Sequence, residues 1–226
     1  EWLMQVREFR RLMEEVEDFP LQYFYDVRES ILRIRVENTH LEEDELFDLR
    51  RSLATIAGMV KILNHSDEDD AHAEQEDGWR REKKYPYPAL HRLSKDVMTF
   101  PQLIQRIDQI LDKFGKIRDN ATPELLQIRR ELAKTEGSIS RTLYSILRAA
   151  QSEGVVEKDV TPTLRDGRLV IPVIPTLKRR IKGIVHDESA TGKTVFIEPT
   201  EVVEANNRVR ELEGEERKEI IRILTD

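Results

Sequence analysis

The chain has 226 residues, enough for one large or two small domains around a substantial core, and 36% of its residues are charged. Without cysteine it has neither a disulfide framework nor thiol chemistry, and a cytoplasmic location is expected. No apolar run approaches the ~18 residues of a membrane-spanning helix, so no membrane partner is expected. The net charge of −7 disfavours nucleic-acid binding by the chain taken as a whole.

The first half of the chain has the periodicity of a helical bundle. Its apolar residues recur at steps of three and four, and helices joined by short loops pack antiparallel. The first predicted helix runs through Val16, and the others span residues 27–36, 42–63, 88–98 and 101–114. The apolar stripe predicted for the third helix is Leu46, Leu49, Leu53, Ile56, Val60 and Leu63. The core residues predicted for the last two helices are Leu90, Leu93, Val97, Leu103, Ile104, Ile107 and Leu111.

An acidic segment, residues 67–77, separates two of these helices and carries seven carboxylates. It cannot bury enough apolar surface to offset the entropy of ordering, so we predict a solvated or disordered loop. His65 and His72 beside these carboxylates superficially resemble a metal-binding cluster. Metal ligands need a rigid frame and supporting hydrogen bonds, which such a loop does not offer, so we predict no metal site.

A long helix is predicted from Thr122 onwards. Thr122 is a good N-cap, and Pro123 suits the first helical position, where no backbone N–H is required. No proline interrupts the apolar pattern before Pro162, and Gly154 is a suitable C-terminal stop. About 30 residues would extend on the order of 45 Å. Because that exceeds the needs of a compact domain, part of the helix is expected to project.

A small antiparallel sheet is predicted next. The turn signal Asp166-Gly167 lies between two short β-prone segments and favours a hairpin. Pro172 and Pro175 interrupt the following apolar run, which is typical of an edge strand or a bulge. A third strand is predicted to hold Ile184 and Val185, and a fourth to span Thr194 to Ile197.

Helical periodicity returns after Pro199. The apolar residues of this last helix are Val202, Val203, Val209, Leu212, Ile220, Ile223 and Leu224. Its middle, Glu213 to Glu219, is charged apart from Gly214, and we predict that this portion is solvated. The helical patterns at the two ends begin and stop without capping residues, so flanking domains are expected.

Four stretches of the second half carry a family resemblance. They are Asp166–Val173 (DGRLVIPV), Gly183–Gly192 (GIVHDESATG), Thr194–Pro199 (TVFIEP) and Val202–Asn207 (VVEANN). Together they closely resemble the second bacterial paralogue of the MutS mismatch-repair ATPase, the MutS type-two proteins. The resemblance is strong from Ile117 onwards and covers the helical first half only in outline.

The resemblance implies a mainly α fold, the core, lever and clamp segment of that family. Residues 1–121 would be a helical core domain, 122–155 an outgoing lever helix and 200–226 a returning lever helix, with a small antiparallel β clamp over 156–199 between them. Full-length relatives are dimeric ATPases with a C-terminal nuclease domain, associated with suppressing homologous recombination and with stalled ribosomes. ATP and Mg²⁺ would bind in an ATPase domain outside this segment, which itself would carry no cofactor and no catalytic residue.

A basic cluster is the best functional signal of the sequence. The segment from Thr161 to Pro199 holds seven cations and four anions, a net charge of +3, so the rest of the chain carries −10. The seven cations are Arg165, Arg168, Lys178, Arg179, Arg180, Lys182 and Lys193. A positive tip on a negative body would bring cations to a phosphate backbone, and a solvated loop without a ligand is the plain alternative.

The resemblance favours binding over the solvated loop, because clamps of the MutS superfamily touch the DNA backbone. One departure is Ile174, which stands where many relatives are expected to have a lysine. The partner would be DNA, contacted without sequence readout, or alternatively ribosomal RNA or an acidic protein surface.

Three other motifs are interpreted as having no ligand. Thr191-Gly192-Lys193-Thr194 resembles the end of a phosphate-binding loop, but Asp187 stands where that loop needs a glycine, and a strand follows instead of a helix. His186, Asp187 and Glu198 lack a nucleophile fixed to them by sequence, so His186 is predicted to hydrogen-bond across strands. Asn206 and Asn207 are predicted to pack against the outgoing helix or the base of the sheet.

Overall fold

The structure is a computed structural model that describes residues 1–66 and 84–226. The predicted loop over residues 67–77, including His72, lies outside the described residues. The chain divides into a first unit, Glu1–Arg118, and a second unit, Asp119–Leu224. Within the described ranges, no helix combines the length and the apolar character needed to cross a membrane.

The first unit is helical, as predicted. Its helices are α1 (Trp2–Glu15), α2 (Arg28–Arg33), α3 (Glu43–Leu63), α4 (Pro88–Ser94) and α5 (Pro101–Ile110). The last two helices are shorter than predicted. After α5 the backbone becomes extended at Leu111, which forms a β-bridge with Ile117.

Packing in the first unit combines apolar contacts with buried hydroxyl groups. Leu12, Tyr87 and Leu90 form a buried cluster. On α3 the buried residues are Ser52 and Thr55. Ser52 Oγ accepts a hydrogen bond from Tyr25 N at 2.9 Å, and Thr55 Oγ1 donates one to the carbonyl of Gln22 at 2.7 Å. These hydroxyls fix the irregular segment before α2 against α3.

Part of the predicted core of the first unit is wrong. Leu93, Val97 and Leu103 are 60%, 42% and 41% exposed, although Leu90, Ile107 and Leu111 are buried as predicted. Val97 lies beyond the end of α4, so helical periodicity no longer decides where it points. Ser94 is buried at the end of α4 instead, because its hydroxyl donates to Asn64 Oδ1 at 2.9 Å. The predicted stripe of α3 is only half-buried.

The second unit begins with the long helix α6 (Pro123–Ser152), whose predicted boundaries are confirmed. Thr122 Oγ1 accepts a hydrogen bond from Leu125 N at 3.1 Å, and Pro123 occupies the first turn. Gly154, at φ +70°, follows the last turn in the left-handed conformation that ends many helices. The unit closes with α7 (Val203–Thr225), preceded by a single 3-10 turn.

Between these helices lies a four-stranded antiparallel sheet in the order β1-β2-β4-β3. Its strands are β1 (Thr163–Arg165), β2 (Arg168–Val173), β3 (Gly183–Glu188) and β4 (Val195–Pro199). The predicted hairpin is confirmed, with Asp166 and Gly167 both at positive φ in its two-residue turn. A 3-10 helix, Pro175–Arg180, joins β2 to β3 and was not predicted.

Pro172 lies in an inner strand, contrary to the prediction of an edge strand or a bulge. Pro172 is opposite Phe196 of β4, but the pairing of β2 with β1 ends at Val170. The missing N–H of Pro172 therefore faces an edge that has no partner strand at this position.

The hydrophobic core of the second unit joins both helices to the sheet. Its members include Ile139, Leu143, Leu147, Ile171, Val173, Val195, Ile197, Val202 and Val209. Outside this core, α6 and α7 run antiparallel and are linked by polar contacts. Arg129 pairs with Glu216 at 2.7 Å and Arg208 with Glu131 at 2.9 Å.

One residue of the charged middle of α7 contradicts the prediction of a fully solvated segment. Glu219 is only 9% exposed. Its carboxylate accepts a hydrogen bond from Thr122 Oγ1 at 2.6 Å and pairs with Arg222 at 2.7 Å. These partners allow the charge to be buried at the start of α6.

Candidate nucleic-acid interface

Five of the seven predicted cations are exposed in the second unit and form no ion pair with a described residue. We call these five the tip cations: Lys178, Arg179, Arg180, Lys182 and Lys193. The first three lie in the 3-10 helix, Lys182 directly precedes β3, and Lys193 lies in the turn between β3 and β4. Within the described part of the chain, none of them forms an ion pair. Their charges are therefore available to an anionic ligand.

The other two predicted cations are engaged within the sheet. The guanidinium of Arg165 lies over the ring of Phe196, 4.1 Å from its centroid, and 4.0 Å from the carboxylate of Asp187. Arg168 donates to Glu198 Oε1 at 2.7 Å and to Asn207 Oδ1 at 2.6 Å. Arg165 is still exposed, whereas Arg168 is mostly committed to a buried carboxylate.

That carboxylate belongs to a buried polar cluster, which we call the Glu198 cluster. Glu198 is fully buried in β4. It is hydrogen-bonded to Arg168 of β2, to His186 of β3 and to Asn206 of α7, whose Nδ2 donates at 2.7 Å. The predicted hydrogen bond of His186 across strands is confirmed, whereas Arg168, one of the seven predicted phosphate-binding cations, is paired with Glu198.

The Glu198 cluster fixes the sheet to the returning helix. Burial of Glu198 opposes its ionisation, but hydrogen bonds from His186, Arg168 and Asn206 outweigh burial and lower its pKa. Asn206 and Asn207 thus lie at the base of the sheet, which is one of the two placements predicted for them. Ser189, the nearest serine in sequence, has its hydroxyl engaged with Thr194 N at 3.0 Å. The geometry is that of a structural ion cluster.

The Thr191–Thr194 motif lies in a hairpin turn. Ser189 N donates to the carbonyl of Thr194 at 2.8 Å, and Gly192 N donates to the carbonyl of Ser189 at 2.8 Å. Strand β4 starts directly after this turn, as predicted. A phosphate-binding loop needs a helix there to direct its N–H groups and dipole at the ligand.

Acidification is expected to destabilise the second unit through Glu198. Because its pKa is lowered in the folded state, its contribution to stability is complete above its ordinary value of 4.5 and is lost as the pH falls through the folded-state value. The unfolding temperature of the second unit, followed by the methyl NMR signals of Val170 and Ile197, measures this loss between pH 7 and pH 3. The unfolding temperature should fall less in Glu198→Gln than in the wild type. An equal fall in both proteins would show that other carboxylates cause the loss of stability.

The fold and the interface define a class of protein in which two antiparallel helices carry a small sheet with exposed cations. No family model matches the chain. Curated relatives are each named Endonuclease MutS2. The protein of Levilactobacillus brevis is 35% identical over 225 residues, which is 100% of this chain and 26% of that protein. That of Symbiobacterium thermophilum is 33% identical over 220 residues, 97% of this chain and 25% of that protein.

A third relative, from Enterococcus faecalis, is 29% identical over 225 residues, covering 100% of this chain and 26% of that protein. The chain belongs to the MutS2 family, which confirms the resemblance seen in the sequence. It spans about a quarter of the length of these relatives.

Proposed function

We propose that this chain is the core, lever and clamp segment of a MutS2 protein, and that its tip contacts the phosphate backbone of DNA. The segment itself is non-catalytic. It embraces DNA, including branched recombination intermediates, and transmits motion driven by ATP in the suppression of homologous recombination. ATP, Mg²⁺ and the nuclease activity belong to the rest of the MutS2 chain, which acts as a homodimer.

The distribution of unpaired cations carries this proposal. The tip cations are exposed and lack acidic partners among the described residues, although acidic side chains outnumber basic ones in the whole chain. Phosphate oxygens are the ligands that exposed lysine and arginine side chains bind without reading bases. The acidic remainder of the chain, at −10, repels the same backbone and so favours contact through the tip.

The two engaged arginines have different roles in this proposal. Arg165 keeps an exposed guanidinium over Phe196, which orients it and leaves N–H groups for a phosphate. Arg168 neutralises Glu198 and contributes to the sheet's structure, so its charge adds little to binding.

The helix pair supports the transmitting role. The ion pairs of Arg129 and Arg208 with α7 and α6 carboxylates, together with the shared core, join the two helices along their length. The Glu198 cluster then joins the sheet to α7. A rotation applied to the helix pair would therefore be carried to the tip cations.

Salt dependence tests the binding proposal directly. If about four tip cations engage phosphates, the logarithm of the affinity for duplex DNA should fall with the logarithm of the salt concentration at a slope near −3.6, that is about −0.9 for each phosphate. Fluorescence anisotropy with a labelled duplex at 50–300 mM salt measures the slope. A slope near zero would contradict phosphate binding.

Charge reversal locates the contact. The variant Lys178→Glu/Arg179→Glu/Arg180→Glu/Lys182→Glu is expected to lose duplex binding by at least about tenfold. The matched control reverses four exposed cations on the helices, Arg130, Lys134, Arg217 and Lys218. It changes the net charge equally and should bind more tightly than the tip variant. If both lose affinity equally, only the net charge matters, and retention on ribosomes with no duplex binding would favour ribosomal RNA as the partner.

A further inference from the structure

Strand β3 forms one edge of the sheet and is open to solvent. It is the last strand in the order β1-β2-β4-β3, and five of its six residues are exposed. Two of these are apolar, Ile184 at 49% and Val185 at 48% exposure. An exposed edge strand with apolar residues is a template for pairing with another strand.

The hydrogen bonds between β3 and β4 show which backbone groups point outwards. Thr200, directly after β4, donates its N–H to the carbonyl of Lys182 at 3.1 Å. The backbone N–H and C=O groups of Lys182 therefore point to the β4 side of the strand. Backbone N–H and C=O groups alternate between the two sides of an antiparallel strand. The groups of Ile184 therefore also face β4, and the groups of Gly183 and Val185 face the open edge. Pro199, opposite Gly183, has no N–H to offer, in agreement with this alternation.

The charges around β3 change sign along the strand. Arg180 and Lys182 precede it, whereas Asp187 and Glu188 form its last two residues, and all four side chains are exposed. An antiparallel copy of the same segment reverses this order. Each basic end then lies beside the acidic end of the other copy, which is electrostatically favourable at both ends.

We propose that β3 pairs antiparallel with β3 of a second copy of this chain, about a two-fold axis at Ile184. In this register Gly183 of each copy is opposite Val185 of the other, and their outward groups form four N–H···O hydrogen bonds. The two Ile184 side chains meet at the axis. The interface is isologous, since the same patch is used by both copies.

A second copy fits this edge better than an acidic peptide. An acidic strand would match Arg180 and Lys182 but would be repelled by Asp187 and Glu188 at the other end of β3. The segment Lys182–Glu188 satisfies both ends with its own sequence. The pairing uses Arg180 and Lys182 of the tip cations and leaves Lys178, Arg179 and Lys193 for the DNA contact proposed above.

The sheet limits this pairing to a closed dimer. The β-bulge between Val185 and Asp187 breaks the regular edge, so the match is confined to the stretch around Ile184. The opposite edge has only the three-residue β1, and β2 beyond it presents Pro172. Neither offers a long strand for further addition.

Cysteine cross-linking tests the register, because the chain has no cysteine of its own. Ile184→Cys would place two thiols in a non-hydrogen-bonded pair with Cα atoms about 4.5 Å apart, within the range that a disulfide bridges. Leu164→Cys is the matched control, since Leu164 is 64% exposed on the opposite edge strand. Under mild oxidation at low protein concentration, we expect at least about tenfold more dimer from Ile184→Cys. Equal yields, or no dimer from Ile184→Cys, would overturn the proposal.

Charge exchange tests the electrostatic argument without relying on a new bond. Lys182→Glu and Glu188→Lys are each expected to weaken self-association about tenfold, measured by sedimentation velocity without nucleic acid. The double variant Lys182→Glu/Glu188→Lys should restore it. Failure of the double variant to recover would contradict the pairing. Because the assay contains no DNA, either outcome is independent of phosphate binding by the tip cations.

Discussion

Replacing Glu198 by glutamine is expected to lower the free energy of unfolding of the second unit by about 3 kcal/mol. The substitution preserves the shape of the side chain but leaves the guanidinium of Arg168, whose side chain is 15% exposed, without its counter-charge. The amide N–H₂ of the new glutamine must also replace one carboxylate oxygen. It then points either to His186 or to the N–H groups of Asn206 and Arg168, which are themselves donors. Hydrogen exchange at the amides of Ile171 and Ile197, which pair between β2 and β4, measures the loss.

The matched control is Glu188→Gln on β3. Glu188 lies in the same sheet but is exposed, so its replacement should change the free energy of unfolding by less than about 0.5 kcal/mol. Arg168→Met combined with Glu198→Gln should be less damaging than the sum of the two single variants, because both break one interaction. Strict additivity, or equal losses for Glu198→Gln and Glu188→Gln, would show that the cluster does not stabilise the sheet.

Gly183→Ala is expected to destabilise the sheet by about 3 kcal/mol, for a purely steric reason. A Cβ at Gly183 would lie 2.2 Å from the carbonyl oxygen of Glu198 and 2.8 Å from its carbonyl carbon. Both are backbone atoms of β4, so the clash can be relieved only by separating β3 from β4. Loss of exchange protection at the amide of Ile184, which is paired with Glu198, reports this separation.

Gly137→Ala is expected to stabilise the protein, in contrast to Gly183→Ala. Gly137 lies within α6, and a Cβ there would meet no atom within 4 Å. Alanine should therefore stabilise the helix by about 1 kcal/mol, as it does relative to glycine in other helix interiors. If Gly183→Ala proved as harmless as Gly137→Ala, the close approach of β3 to β4 would be wrong.

Local signals explain why much of the second unit could be predicted from the sequence. Thr122 and Pro123 mark the start of α6 within two adjacent residues, and Gly154 marks its end. The turn Asp166-Gly167 is likewise predictable from its own two residues, because both tolerate the positive φ that a two-residue hairpin turn requires. Such features need no knowledge of the rest of the chain.

Contacts between distant residues could not be predicted in this way. Arg168 and Glu198 are 30 positions apart and meet only because β2 pairs with β4. Glu219 is buried against Thr122, 97 positions away. The charge pattern of the last helix predicts a solvated Glu219, and the basic cluster predicts that Arg168 binds phosphate. Six of the seven cations proposed for the interface are exposed, and their binding role stays a prediction.

The 3-10 helix after β2 carries three of the tip cations, and its geometry limits how strictly they can select the orientation of a bound duplex. With three residues per turn, Lys178, Arg179 and Arg180 project roughly 120° apart around one short axis. Leu177 of the same 3-10 helix packs against the core, whereas the three cations are exposed. A DNA duplex can therefore approach from more than one exposed side of the helix and still meet a cation. We therefore expect a contact that tolerates rolling and sliding along a duplex, with little energetic difference between neighbouring positions.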